Sequence, residues 1–293
     1  MKDVIVEDTA IQNIPVLPLE RAKYIEINGY KTYYKDEGSG SAILFLHSIS
    51  GTSFIWDKWT NYLKQNYRVI RLELPSFEQH ESNNFSTEFY INFIEEFANA
   101  MGLNSFYLCG HSTGGQLAYE IAHKLPKRIT ALVLVAPSGF SPINSKLIKA
   151  TYRLTLKVFG KRYIKWFTSR YLLKKKLKQL YFNSEMVTEQ LTDKYLENLF
   201  SKENRETYPN YINGIHPINL SIDGISEIDT PTLILWGESD KILPVSDARK
   251  FKTIITNIRL ITYPKAGHFP FDEVADLSYK DLVRFLEDHK SYS

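Results

Sequence analysis

The stretch "FYLCGHSTGGQLAYEIA", residues 106–122, sets a serine among small residues where a strand-like run gives way to a helical one. Two readings compete for Ser112. It is a nucleophile held up by a strained turn, or it is the N-cap of an ordinary helix, a position that favours serine. A cap gives no reason for glycine at 110 and again at 114 and 115. A turn tight enough to expose the hydroxyl does, because side chains two before and two after the serine would strike neighbouring backbone. Bare Gly-x-Ser-x-Gly is a weak pattern. The strand–turn–helix setting gives it weight, and so would suitable partners further along the chain.

Those partners stand at the ends of later strand-like runs. A serine hydroxyl needs a general base, and the base needs an acid to orient it. "AGHFPF" places His268 just beyond "IRLITYPK", and "LILWGESDKILP" places Asp240 just beyond the run before it. Glu238, two residues away, is the alternative acid. Taken singly, Asp240 reads as an Asx turn before Pro244 and His268 as a loop histidine. Three such residues, each after its own strand and in the order Ser, Asp, His, argue for one site.

The chain around them alternates buried strands with helices. "KYIEINGYKTYYKDEG" reads as a hairpin turning at Asn28-Gly29. "SAILFLHS", "NYRVIRLELPS", "SFYLCG", "ITALVLVAPSG", "TPTLILWGESD" and "IRLITYPKAGH" read as strands. Helices are predicted from Thr87 to Met101 with a cap at Ser86 or Thr87, from Thr113 to about Leu125, and over "YKDLVRFLEDHK" at the end. This rhythm predicts a doubly wound, mostly parallel sheet of the α/β class. Residues 141–216 break it, reading as amphipathic helix throughout. The division expected is therefore a core over 1–140, a helical cap over 141–216 and the rest of the core over 217–293.

Charge divides the chain in the same way. The formal net charge is +3, yet residues 141–216 hold fifteen basic and six acidic side chains. Twelve Lys or Arg fall between 146 and 178, and no acidic residue stands between Glu120 and Glu185. A charge run is usually a solvated helix face. With Phe159, Trp166 and Phe167 interleaved, this one also suits an anionic lipid surface or an acidic acyl substrate. No reader motif points to nucleic acid.

A single cysteine, Cys109, means no internal disulfide and suits a reducing compartment. We read Cys109 as a small buried hydrophobe. The seven histidines form no metal-ligand spacing, so neither metal nor other cofactor is expected. No apolar run approaches the roughly 20 residues of a membrane span, and the first residues lack a signal-peptide core. The expectation is a cytoplasmic protein.

On these motifs the chain resembles the α/β-hydrolase superfamily, in its serine-hydrolase branch with a helical cap. The resemblance runs from about Tyr24 to the last helix and is loosest over 141–216. It implies an eight-stranded sheet and a Ser112–His268–Asp240 triad. "LHSISGTSFIWDKW" resembles the family's oxyanion loop, which makes the backbone N–H groups of Ile49 and Thr113 the implied oxyanion donors. One such donor is worth about 3–4 kcal/mol of transition-state stabilisation. His47 and Ser48 in that loop, His111 at the turn and Phe269 after the histidine are candidates for the pocket wall.

Two departures stand out. Ser48 replaces the family's usual glycine, a change we read as tolerated. "ELPSFEQHES", with Glu73, Ser76 and Glu78, replaces a tight glycine turn. The implied activity is cleavage of a carboxylic ester through an acyl-enzyme. A thioesterase, a carbon–carbon bond hydrolase and a cofactor-free haloperoxidase share the same triad, and a ligand-binding or signalling module could keep the fold without turnover.

Overall fold

A computed structural model describes residues 23–48, 51–75, 86–141, 170–199 and 224–290. The chain enters through a hairpin, β1 (Lys23–Ile27) and β2 (Tyr30–Glu37). Asn28 and Gly29 both have positive φ, 52° and 82°, as the tightest hairpin turn requires. Then come β3 (Ala42–Leu46), helix α1 (Asp57–Leu63), β4 (Arg68–Leu72) and α2 (Thr87–Ala100). After them follow β5 (Phe106–His111), α3 (Thr113–Lys124) and β6 (Ile129–Val135). Two helices of the expected cap come next, α4 (Arg170–Leu180) and α5 (Glu189–Leu199). The core resumes with β7 (Thr232–Gly237), α6 (Ser246–Ile254), β8 (Ile258–Tyr263), the short α7 (Pro270–Glu273) and α8 (Ala275–Asp288).

The eight strands form one sheet in the order β1-β2-β4-β3-β5-β6-β7-β8. The hairpin and its junction with β4 are antiparallel, and every other pairing is parallel. The central strands are covered on both faces, which is why they read as unbroken apolar runs. Successive side chains still alternate between faces. Leu44, Leu46, Leu108, Leu132, Leu134 and Ile234 meet α2, α3 and α6 through Phe93, Phe97, Leu117 and Phe251. Ile43, Phe45, Cys109, Val133 and Leu235 meet α1 and α8 through Trp59, Leu63 and Phe285. Each such side chain, taken fully out of water, contributes about 1.5–3 kcal/mol.

The parallel register decides where chemistry can occur. Leu46 lies opposite both Leu72 and Gly110, His111 opposite Val135, and Gly237 opposite Tyr263. The loops leaving β3 through β8 therefore gather along one edge of the sheet, the carboxyl edge where such sheets bind ligands.

Helix α4 explains part of the basic run. Leu173, Leu177 and then Tyr181 pack on the core, while Lys175, Lys176 and Lys178 are exposed. Arg170 and Lys174 pair with Glu189 and Asp193 of α5. Residues 142–169 and 200–223, with Phe159, Trp166 and Phe167, lie outside the described residues. Sequence periodicity missed α1, α6 and α7, which are short, and it started α8 four residues late.

Helix α2 shows how local signals hold. Ser86 Oγ accepts the Phe89 N–H at 3.1 Å, and Gly102, at φ 67°, ends the helix. Replacing Ser86 by Ala removes this side-chain acceptor from the helix end. We expect it to cost about 1 kcal/mol of unfolding free energy by denaturant titration, without a change in slope.

Candidate active site

Ser112 sits at φ 55° and ψ −120°, a conformation that costs a non-glycine residue roughly 1–3 kcal/mol. Its side chain makes no capping bond to α3, so the N-cap reading fails. The strained backbone is held from both sides. Ser112 N–H donates to the Val135 carbonyl and Ser138 N–H donates to the Ser112 carbonyl, each at 3.0 Å. The glycines are there for space. A Cβ on Gly110 would lie 2.3 Å from the Gly114 carbonyl oxygen, and one on Gly114 would lie 2.3 Å from that of His47. The turn thus presses directly on the loop after β3.

Asp240 and His268 come together from the next two strand ends. His268 Nδ1 lies 2.7 Å from Asp240 Oδ2. The other carboxylate oxygen, Oδ1, accepts the N–H groups of Ile242 and Leu243 at 2.8 and 3.0 Å. Both readings of Asp240 are therefore true at once: one oxygen closes an Asx turn and the other faces the imidazole. Its side chain is fully buried. Glu238 is exposed and accepts the Thr262 hydroxyl at 2.7 Å, away from the histidine. A Cβ on Gly237 would lie 2.0 Å from the Gly267 carbonyl oxygen, so the two loops meet backbone to backbone. With Nδ1–H donated to Asp240, Nε2 of His268 is left as the basic nitrogen.

His111 lies behind His268. Its Nε2 is 2.9 Å from the His268 carbonyl oxygen, and the two rings are 4.6 Å apart. Burial, and then the neighbouring His268, push its pKa well below the ordinary histidine range. His111 stays neutral, and its contact with the His268 carbonyl oxygen braces the histidine loop. Phe269 packs against His111 and Tyr181.

The loop after β3 is tied down by a residue that sequence reading noted only as a departure. Glu73 Oε1 accepts from Ser53 N–H at 2.9 Å, from the Ser53 hydroxyl, and from the Thr52 hydroxyl at 3.2 Å. Its Oε2 lies 3.2 Å from His47 Nε2. Burial raises the carboxyl pKa, but the His47 ring and the Ser53 donors outweigh it and hold the group at about 2. His47 Nδ1 is 2.6 Å from the Ser48 carbonyl oxygen, and its Nε2 is 3.0 Å from the Leu74 amide. Both ring nitrogens are thus engaged by backbone, one within its own loop and one in the segment after β4. A Cβ on Gly51 would lie 2.6 Å from Ser48 Oγ, which puts that hydroxyl inside the loop's own turn. Ile49, Ser76 and Glu78 lie outside the described residues. Thr113 opens α3, immediately after the strained serine.

A cavity lies beside this cluster, between α1, α5 and the histidine loop. Phe54, Tyr181, Tyr195, Phe269 and Phe271 form its apolar wall. Lys194 and Lys58 also face it, paired with Asp57 and Asp272 respectively. It touches the cluster through Phe269, and Ser112 is not among its lining residues. Among the described residues no three His, Cys, Asp or Glu side chains are grouped to hold a metal. No helix among them is long and apolar enough to cross a membrane.

A family model described as the alpha/beta hydrolase fold matches residues 41–275. The chain belongs to the alpha/beta hydrolase family. It is 24% identical to the 2-hydroxy-6-oxononadienedioate/2-hydroxy-6-oxononatrienedioate hydrolase of Comamonas testosteroni, over 90% of this chain and 96% of that one. It is also 24% identical to the 2-hydroxy-6-oxo-6-phenylhexa-2,4-dienoate hydrolase of Burkholderia cepacia, with the same coverage of 90% and 96%. A solved meta-cleavage product hydrolase from Pseudomonas fluorescens superposes with a TM-score of 0.79 at 21% identity, covering 93% of this chain and 100% of that one. At that identity the likeness speaks for the fold alone. A putative lipase from Acinetobacter baumannii superposes at 0.69 with 28% identity, covering 93% and 92%.

The Glu73 geometry makes a pH-dependent prediction. Its folded pKa lies below the ordinary 4.5, so its contribution to stability is present above about pH 4.5 and is lost as pH falls toward about 2. The melting-temperature gap between wild type and Glu73→Gln is expected at full size near neutral pH, and to close across that acid window.

Proposed function

We propose that the chain is a serine hydrolase that transfers an acyl group from a carboxylic ester to water. The observation that carries this is the 2.7 Å contact between Asp240 and His268, made at the sheet edge that also presents strained Ser112. In this reading His268 takes the Ser112 proton as the hydroxyl attacks the ester carbonyl. Asp240 holds the imidazole in the required tautomer and stabilises its charged form. The backbone N–H groups of Thr113 and Ile49 receive the oxyanion. His268 then protonates the leaving alcohol, and water activated by the same nitrogen releases the acid. The putative lipase at 28% identity supports the ester class.

The curated relatives favour a second reading. They are named as hydrolases of 2-hydroxy-6-oxo dienoates and dienedioates, substrates without an ester, so hydrolysis of their skeleton breaks a carbon–carbon bond. The same acyl transfer serves there if His268 protonates a carbon leaving group. The exposed Lys175, Lys176 and Lys178 on α4 suit an acidic acyl substrate or an anionic lipid surface. Cys109, a buried free thiol, suits a reducing compartment.

Hydrolysis of p-nitrophenyl butyrate is expected to fall to background in Ser112→Ala, and about 10⁴-fold in kcat in Asp240→Asn. Near wild-type turnover in Ser112→Ala would remove the serine mechanism. A wild-type kcat/KM higher on a 2-hydroxy-6-oxodienoate than on the ester would instead make the carbon–carbon reading the right one.

A further inference from the structure

His268 is held at three points, and only two of them belong to the sheet core. Asp240 holds its ring and His111 its carbonyl oxygen. Its amide N–H donates instead to the carbonyl oxygen of Leu180, at 2.7 Å, the last residue of α4. The histidine loop is therefore bonded to the cap through the very residue that carries the imidazole.

Glu273 reinforces that junction. Its Oε1 accepts the Gly267 N–H at 2.7 Å, while its Oε2 accepts the N–H groups of Phe182 and Asn183 at 2.6 and 3.3 Å. One oxygen thus serves the residue before His268, and the other serves the two residues after Tyr181. Gly267 lets the segments approach this closely: a Cβ there would lie 2.5 Å from the Leu180 carbonyl oxygen and 2.9 Å from the Phe182 nitrogen. Tyr181 adds an outer stitch, donating its hydroxyl to Asp272 Oδ2 at 2.8 Å and packing against Phe269.

We propose that Glu273 is a positioning residue that couples the helical cap to His268, so that movement of the cap is passed to the imidazole. The proposal rests on His268 being the general base. Glu273 bonds the amides of Gly267, Phe182 and Asn183, and it acts by fixing where the backbone of residues 267 and 268 lies relative to residues 180–183. A substrate that seats under the cap would in this way set the base that acts on it. Burial raises the Glu273 pKa, against the pull of the amides it accepts from. An isosteric neutral side chain there relieves a buried charge, which keeps such a variant folded.

The test uses Glu273→Gln. An amide side chain offers one acceptor in place of two, so it must turn an NH₂ toward either Gly267 or the Phe182–Asn183 pair. Phe182→Pro deletes a donor from the cap side and leaves the histidine loop untouched. Three readouts are compared with wild type: labelling of Ser112 by a fluorophosphonate, kcat and KM on p-nitrophenyl butyrate, and hydrogen exchange of the amides of residues 182, 183, 267 and 268. The expected result in both variants is a roughly ten- to hundredfold fall in labelling rate and kcat, with KM held within about twofold. Exchange is expected to rise on both sides of the junction together, at 267–268 and 182–183 in Glu273→Gln, and at 267–268 and 183 in Phe182→Pro, which has no amide proton at 182. If either folded variant keeps wild-type kcat, or if exchange rises on one side of the junction alone, the coupling is overturned. A wild-type chain that does not label fails earlier: the serine-hydrolase reading goes, and the role of Glu273 with it.

Discussion

The site depends on one steric constraint, the contact of bare backbone with backbone where the turn after β5 meets the loop after β3. Gly114 lies so close to the His47 carbonyl oxygen, and Gly110 to that of Gly114, that a single added carbon at either would clash. No rotamer change relieves a clash with a carbonyl. The same closeness recurs between Gly237 and Gly267, which brings Asp240 beside His268. The strain at Ser112 is tolerated because the amide of Ser138 and the carbonyl of Val135 hold its backbone, and because the strands on either side are fully buried.

Much of this is legible in the chain. The glycine pattern, the strand ends and the order of Ser112, Asp240 and His268 carry both the fold and the geometry of the cluster. What escaped reading has a common physical cause. Glu73, Glu273 and His111 bond to residues close in space but not marked by any spacing in sequence. A carboxylate that accepts amide protons from a distant loop looks, in one dimension, like any surface acid. Short helices such as α6 and α7 escape for another reason, since one or two turns give periodicity little to repeat.

Two half-buried carboxylates, Glu73 and Glu273, pin loops of the carboxyl edge, and they show which electrostatic effect wins. Desolvation is the largest influence on Glu73 and on Glu273. At Glu73 the facing His47 ring and the Ser53 hydroxyl are added to a backbone amide, and the sum overturns desolvation. At Glu273 the donors are neutral amides alone, and desolvation prevails. A nearby cationic or ionisable partner separates the two cases, because amide dipoles act over a shorter range than a charge. Glu73 therefore stays ionised down to about pH 2 and clamps the loop after β3. Glu273 holds its junction at a cost in buried charge, the kind of residue kept for what it positions.

The two adjacent histidines complete the electrostatic argument. A general base loses strength beside a second cation, since each charge raises the cost of the other in a site screened from water. His111, 4.6 Å from the His268 ring, would be such a cation if it were protonated. Burial without a carboxylate partner keeps it neutral, and its bond to the His268 carbonyl oxygen uses the one N–H that the neutral ring possesses. The residue between Gly110 and Ser112 thus braces the histidine loop while leaving the field around its imidazole to Asp240. A lysine or arginine there would supply a bond of the same kind but place a fixed positive charge beside the His268 imidazole.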